Sequence, residues 1–183
     1  LTVLALSVER YFTIRAAFGR GKLVKFVAQI KDALAKGDME AAQALCDKQR
    51  GSVANVVGAT LQTYREMEQN SELDKDQKVL AIQKSLEEAT ALELPMLQQN
   101  LPIIGTITTL GTLMGLLGTV IGMIRSFAAL SAGGGTDSVA LSTGISEALI
   151  NTAFGILTGA LAVISYNYFT NKIDKLTYSL DEV

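Results

Sequence analysis

The stretch Leu101–Ile124, LPIIGTITTLGTLMGLLGTVIGMI, carries no charged residue, and neither does Ala148–Asn171, ALINTAFGILTGALAVISYNYFTN. Each run is 24 residues long. At a rise of ~1.5 Å per residue a helix of that length reaches ~36 Å, enough for a ~30 Å hydrocarbon core with some tilt. Both runs therefore predict transmembrane helices. Leu1–Val8, LTVLALSV, is too short to span. It reads as the last turns of an earlier span whose start lies outside this sequence, so three spans are expected in all. The fold class is all-α, a multi-span helical membrane protein with long helices extending into a cytoplasmic helical region.

Composition supports this. Of 183 residues, 49% are hydrophobic and only 19% charged, with a mean hydropathy of +0.30. Such a chain is not a disordered polymer, and an ordinary soluble domain carries about 25% charge. Residues 101–171 hold just three charges, Arg125, Asp137 and Glu147, whereas residues 1–100 hold 13 of the 16 basic and 13 of the 18 acidic residues. A net charge of −2 gives no basic field for nucleic acid. Histidine is absent, which removes His-based triads, His–metal sites and the usual neutral-pH general base. The lone Cys46 allows no intrachain disulfide or Cys-cluster zinc site and reads as a small buried apolar residue. Neither enzymatic activity nor a cofactor is expected.

Basic residues set the orientation. Arg10, Arg15, Arg20, Lys22 and Lys25 follow the first apolar segment, and Lys172 and Lys175 follow the last. Both ends are expected in the cytoplasm, and the Ser131–Ser146 connection, free of Lys and Arg, outside. Arg125 near the outer end can snorkel. The expected divisions are residues 1–9, the end of a first span; 10–100, a cytoplasmic helical region; 101–130, the second span; 131–143, a periplasmic loop; 144–171, the third span; and 172–183, a cytoplasmic tail. Within 10–100 the period is helical. Leu23, Phe26, Val27, Ile30 and Leu34 mark one helix, Met39–Lys48 a short Ala-rich one, and Val53, Val56, Val57, Leu61 and Tyr64 a third. Val79, Ile82, Leu86, Ala89 and Leu97 mark a fourth, expected to run into the second span with a disturbance at Pro95 and Pro102. Gly133-Gly134-Gly135 lacks the lysine of a phosphate loop and reads as a turn.

The spans carry polar stripes. Gly105, Thr108, Thr112, Gly115, Thr119, Gly122 and Ser126 recur every three or four residues on one span. Gly144, Glu147, Asn151, Gly155, Thr158, Ala162 and Ser165 do so on the next, with Thr152 beside them. Gly111/Gly115, Gly118/Gly122 and Gly155/Gly159 are small-residue pairs that let helix backbones approach in lipid. Glu147 lies at the outer edge of its span. It is either an acid at a helix N-terminus or a residue at the mouth of an ion path. One copy has too few spans to enclose a pathway, so a homo-oligomer is implied. Hydroxyls orient water but do not titrate near neutrality, so any proton transfer needs a carboxylate from a second protein.

Leu101-Pro102-Ile103-Ile104-Gly105-Thr106-Ile107, followed by Gly115-Leu116-Leu117-Gly118-Thr119-Val120-Ile121-Gly122-Met123-Ile124, resembles the second span of the MotA/TolQ/ExbB proton channel family. Gly144-Ile145-Ser146-Glu147-Ala148-Leu149-Ile150-Asn151-Thr152-Ala153-Phe154-Gly155, then Tyr166-Asn167, resembles its third. The match covers residues 101–169, and its wording is nearest ExbB, then TolQ. The resemblance implies a multi-pass protein of a bacterial inner membrane, forming a pentamer around the single-span helices of an ExbD- or TolR-like dimer. Protons would be the coupling ion, and a TonB- or TolA-like protein the effector. It makes Thr119, Glu147 and Thr152 pore-lining, with Asn151, Thr112 and Thr158 on the same stripes. The family often has Ala-Pro where Gly111-Thr112 stands, and a proline near Leu161. Their absence puts helix bending, not the motif, in question, and implies either a straighter pore or a divergent branch with a different effector. The readings to be weighed are a TonB-energising proton channel subunit, a TolQ-like subunit, a gliding or flagellar motor stator subunit, and a packing-only membrane scaffold. A hydrolase is set aside because Ser126, Ser131 and Ser146 have no histidine to activate them.

Overall fold

Helix signals in the sequence become seven helices in the computed structural model, which describes residues 1–70, 73–132 and 138–182. They are α1 (Thr2–Ala17), α2 (Leu23–Ala35), α3 (Met39–Gln49), α4 (Ser52–Gln69), α5 (Lys75–Gln98), α6 (Leu101–Ala132) and α7 (Ser138–Glu182). No strand occurs among the described residues. The chain forms two compact units. One comprises Leu1–Ser7 with Asn100–Tyr168, and the other Val8–Gln99 with Phe169–Val183.

In the second unit, α2, α3, α4 and α5 pack in chain order. Phe26, Val27 and Ile30 of α2, Ala42 and Cys46 of α3, and Val53, Val56, Val57 and Leu61 of α4 are buried. Asp38 caps α3 by accepting from the Ala41 N–H at 2.9 Å, which satisfies one of the orphan donors of a first turn. Asp74 and Gln77 form a capping box at the start of α5, where Gln77 Oε1 accepts from the Asp74 N–H at 3.1 Å. The turns at the end of α1 and between α3 and α4 meet backbone to backbone. The Arg20 N–H donates to the Gln49 carbonyl at 2.6 Å, and Gln49 Nε2 donates to the Phe18 carbonyl at 3.1 Å. Gly51, at φ +109°, leaves no room for a side chain, since a Cβ there would lie 2.5 Å from the Ala17 carbonyl oxygen.

The structure adds three details. Leu34 is half-buried and Ala33 takes the inward place on α2. Val79 and Leu86 are 46% and 40% exposed. Ile82 and Ala89 are half-buried, and polar pairs also join α5 to α4: Thr63 and Ser85 share a hydrogen bond at 2.8 Å, and Asn55 Nδ2 donates to Glu93 at 2.9 Å. Finally, helix extends past the divisions drawn from charge. α7 already runs from Ser138, inside the expected 131–143 loop, and continues through the expected 172–183 tail to Glu182. Ile173, Leu176 and Leu180 are buried, so the apolar period persists after the charges resume. The Gly133-Gly134-Gly135 turn lies outside the described residues.

The disturbance between α5 and α6 falls between the two prolines, at Gln99 and Asn100. Asn100 sits at φ +65°, while Pro95 is accommodated within α5. The break at Gln99 and Asn100 ends α5 and leaves its last carbonyls without partners inside that helix. Arg10 supplies one. It is 1% exposed, donates from Nη1 to the Met96 and Leu97 carbonyls at 3.3 and 3.5 Å, and is paired with Glu9 through Nε at 2.7 Å. A cation at a helix C-terminus is favoured by both the free carbonyls and the helix dipole. A charge this buried is tolerated because it is paired and hydrogen-bonded.

Burial pushes the Cys46 thiol up to about 11, with the neighbouring Asp47 also opposing the thiolate. The thiolate is the reactive form, so the folded chain at pH 8 should alkylate with maleimide on the order of a hundredfold more slowly than the urea-unfolded chain. Ile30→Ala, which empties a fully buried site, should cost about 2–5 kcal/mol. It should therefore shift the onset of Cys46 labelling to lower urea.

Candidate functional site

In the first unit α6 and α7 lie antiparallel along a seam of small residues. The contact pairs step in opposite directions along the two helices: Gly105 with Tyr166, Gly111 with Gly159, Gly115 with Gly155, Gly118 with Asn151, Gly122 with Ala148. The backbones nearly touch at the centre. A Cβ on Gly115 would lie 2.9 Å from Gly155 Cα, and one on Gly155 would lie 2.6 Å from Gly115 Cα. A Cβ on Gly159 would meet Thr112 Oγ1 at 2.7 Å. Lipid offers no hydrophobic drive between helices, so close dispersion packing of this kind holds such a pair together.

The seam contains two hydroxyls. Thr119 on α6 and Thr152 on α7 are hydrogen-bonded to each other, and both reach the Gly115 carbonyl, at 3.2 and 3.4 Å. Two hydroxyl protons thus face two acceptors. One threonine donates to the other, and the second donates to Gly115, so either direction is satisfied. That carbonyl approaches closely because Gly115 and Gly155 carry no side chains.

The remaining polar residues do not all share this position. Asn151 and Thr158 line an open groove with Gly111, Met114, Gly118 and Phe154. Glu147 is exposed on α7, and by helical period Glu147, Asn151 and Thr158 fall within an arc of about 40°. Thr152 is five residues from Glu147, about 140° around the helix. Thr112 is also exposed, but it donates to the Thr108 carbonyl at 3.3 Å and stands beside Gly159. Thr158 donates to the Phe154 carbonyl at 2.8 Å. The candidate residues therefore divide into a seam pair, Thr119 and Thr152, two groove residues, Asn151 and Thr158, and the exposed Glu147 and Thr112. The groove contributors Met114 and Phe154 carry no polar signal. Only the register of α6 against α7 reveals them.

Both helices display apolar side chains outward. Leu113, Met114, Leu116, Ile124, Leu149, Phe154 and Ile164 are each more than half exposed. An apolar surface this extensive calls for lipid or another chain rather than water. The runs Lys75–Ser131 and Leu141–Glu182 contain helices long and apolar enough to cross a membrane. Within the uncharged runs no carboxylate occurs, so the hydroxyls and the amide can orient water or a proton but cannot store one.

Gly155→Leu should separate α6 from α7, because the new side chain would meet Gly115 backbone atoms. Overpacking of this kind typically costs about 1–3 kcal/mol or more. We expect a lower melting temperature in detergent for Gly155→Leu and a smaller change for Gly155→Ala.

Residues 51–182, well over half of the chain, match the family described as the MotA/TolQ/ExbB proton channel family. The ExbB-like 3 biopolymer transport protein of Synechocystis is 40% identical over 46% of this chain and 41% of its own length. The Tol-Pal system protein TolQ of Pseudomonas aeruginosa is 27% identical over 96% of this chain and 78% of its own length. The biopolymer transport protein ExbB of Salmonella typhimurium is 34% identical over 44% of this chain and 33% of its own length. The chain thus aligns with less than half the length of these two ExbB-named relatives and with most of TolQ. With the seam, the groove and the matched span in agreement, the chain belongs to the MotA/TolQ/ExbB proton channel family.

Proposed function

We propose that the chain is the channel-forming subunit of a proton-driven transducer in a bacterial inner membrane. In this reading five copies surround the single-span helices of an ExbD- or TolR-like dimer. The observation that carries it is the arrangement of polar residues on an otherwise apolar helix pair. A satisfied hydroxyl pair lies in the seam, an Asn lines the groove, a Glu stands exposed on the same helical face as that Asn, and the uncharged runs contain no titrating carboxylate of their own. Polar groups at membrane depth are costly and normally face a bundle interior or a water-filled path.

The division of labour follows from the chemistry. The partner supplies the carboxylate that takes up and releases the proton. Thr119 and Thr152 accept or donate in either direction, so they can hydrate that carboxylate in both of its protonation states. Glu147, outward of Asn151 by one helical turn, draws cations toward the path. The energised partner would be a TonB-like protein serving transport at the outer membrane. The alignment with TolQ over nearly the whole chain favours a second reading, a Tol-Pal role with a TolA-like effector. The chemistry within the membrane is the same in both.

The test is proton flux. The chain is co-reconstituted with a single-span, Asp-bearing partner in liposomes that hold a pH dye. Thr152→Val keeps shape but removes the hydroxyl. It should lower flux about fivefold or more, the effect of one hydrogen bond lost in a dry site, and Glu147→Gln should lower it as well. Thr143→Val, at an exposed hydroxyl near the start of α7, should leave flux unchanged. Flux that ignores Thr152, Glu147 and the partner aspartate alike would leave a packing-only scaffold as the reading.

A further inference from the structure

Where α2 begins, the sequence runs against the electrostatics of a helix. A helix N-terminus carries partial positive charge and unpaired N–H groups, so acids and oxygen-bearing caps are favoured there. α2 has Lys22 at its N-cap, no side-chain cap and no acid in its first turn, and Lys25 adds a second cation to that turn. This end lines an open groove against the end of α7. Phe18, Lys22, Val24 and Lys25 form one wall, and Asp174, Lys175 and Tyr178 the other. Three lysines thus stand against one carboxylate. Among the described residues no carboxylate lies within ion-pair distance of Lys22, Lys25 or Lys175.

The groove is also apolar. Val24 and Tyr178 are 79% and 70% exposed, and Phe18 lies beneath Lys172, whose Nζ is 5.6 Å from the centre of its ring, a cation–π distance. A bias of cations toward one side of a membrane accounts for the number of lysines near a span, but not for their grouping around an apolar groove. Lys172, Asp174 and Lys175 stand between the uncharged run and Tyr178, so acyl chains are on the wrong side of these charges to cover the ring. A small free anion would answer the lysines and leave Val24 and Tyr178 bare. An apolar helix would cover those two and strand the lysines. A peptide with acidic residues around an apolar one meets both demands, because its charge and its surface complement the groove together.

We infer that this groove docks an acidic peptide segment of a partner protein. Its carboxylates pair with Lys22, Lys25 and Lys175 and face the uncapped start of α2, and an apolar side chain packs against Val24 and Tyr178. The inference does not depend on proton conduction, so a failed flux assay leaves it standing and its own failure leaves the flux reading standing.

The test uses the full chain in a neutral detergent with two dye-labelled synthetic peptides, repeats of Glu-Asp-Leu and of Gln-Asn-Leu, whose binding is read by fluorescence anisotropy. The acidic peptide should bind at least about fivefold more tightly, the summed effect of a few exposed charge pairs. That advantage should fade as salt is raised. Lys22→Gln/Lys25→Gln/Lys175→Gln should abolish it, and Lys175→Arg alone should keep it. The charge-matched control Lys31→Gln/Lys36→Gln/Lys48→Gln, outside the groove, should also keep it. Equal binding of the two peptides would overturn the inference, as would an advantage that the groove variant retains. The natural occupant is read by placing the photo-crosslinker p-benzoylphenylalanine at position 24 of the full chain in its own cell membranes and sequencing the attached peptide. An acidic segment of another protein, no longer attached in the groove variant, is the expected result. A lipid adduct, a second copy of this chain or a segment without acidic residues would contradict it.

Discussion

The close contact of Gly115 with Gly155 is the constraint on which the membrane unit depends. Any side chain at either position would push α6 and α7 apart by more than the contact allows. That approach exposes the Gly115 carbonyl to two threonines from different helices and so forms the hydroxyl pair in the seam. It also leaves a shallow groove beside the seam, edged by Asn151 and Thr158. The packing motif and the polar site are thus one feature. Separating the helices would leave the hydroxyls of Thr119 and Thr152 without each other, in surroundings where water cannot replace the lost partner at low cost.

The other unit solves a different problem. Its helices bury a conventional apolar core around Ile30, Val56 and Cys46, and its turns are fixed by caps at Asp38 and Asp74. Where α5 ends, the demands of membrane and water chemistry meet. The chain places two prolines, a residue with positive φ and a buried arginine there. Arg10 answers carbonyls that the helix itself cannot satisfy. Without Glu9 beside it and the carbonyls of Met96 and Leu97 in front of it, a guanidinium at 1% exposure would carry the full cost of lost hydration.

Much of this was legible in the sequence, for physical reasons that differ by element. The spans stand out because hydrocarbon excludes charge, and a gap in charge is visible without any knowledge of neighbours. Gly37-Asp38 and Asp74 punctuate helices locally, and the structure has helix starts there. The end of α7 was hidden because Lys172, Asp174 and Lys175 resemble a tail, although Ile173, Leu176 and Leu180 keep the helical period. Val79, Ile82, Leu86, Ala89 and Leu97 mark α5 as a helix, but their spacing does not say that Val79 and Leu86 stay exposed or that hydroxyl and amide pairs join α4 to α5, because a hydropathy pattern does not weigh polar partners. The polar stripes were visible, but their division into a seam pair and a groove edge was not. A stripe shows which residues share a face. Only the register of a second helix decides which part of that face is covered.

A single chain supplies one seam and one groove, and the central claim is that these become a pathway only when several copies and a carboxylate-bearing helix come together. Native mass spectrometry of the detergent-extracted chain tests this directly, alone and co-expressed with the single-span membrane protein encoded beside it. The account predicts a ring of five chains that captures two copies of an Asp-bearing partner. A monomer, or an oligomer that excludes such a partner, would contradict it.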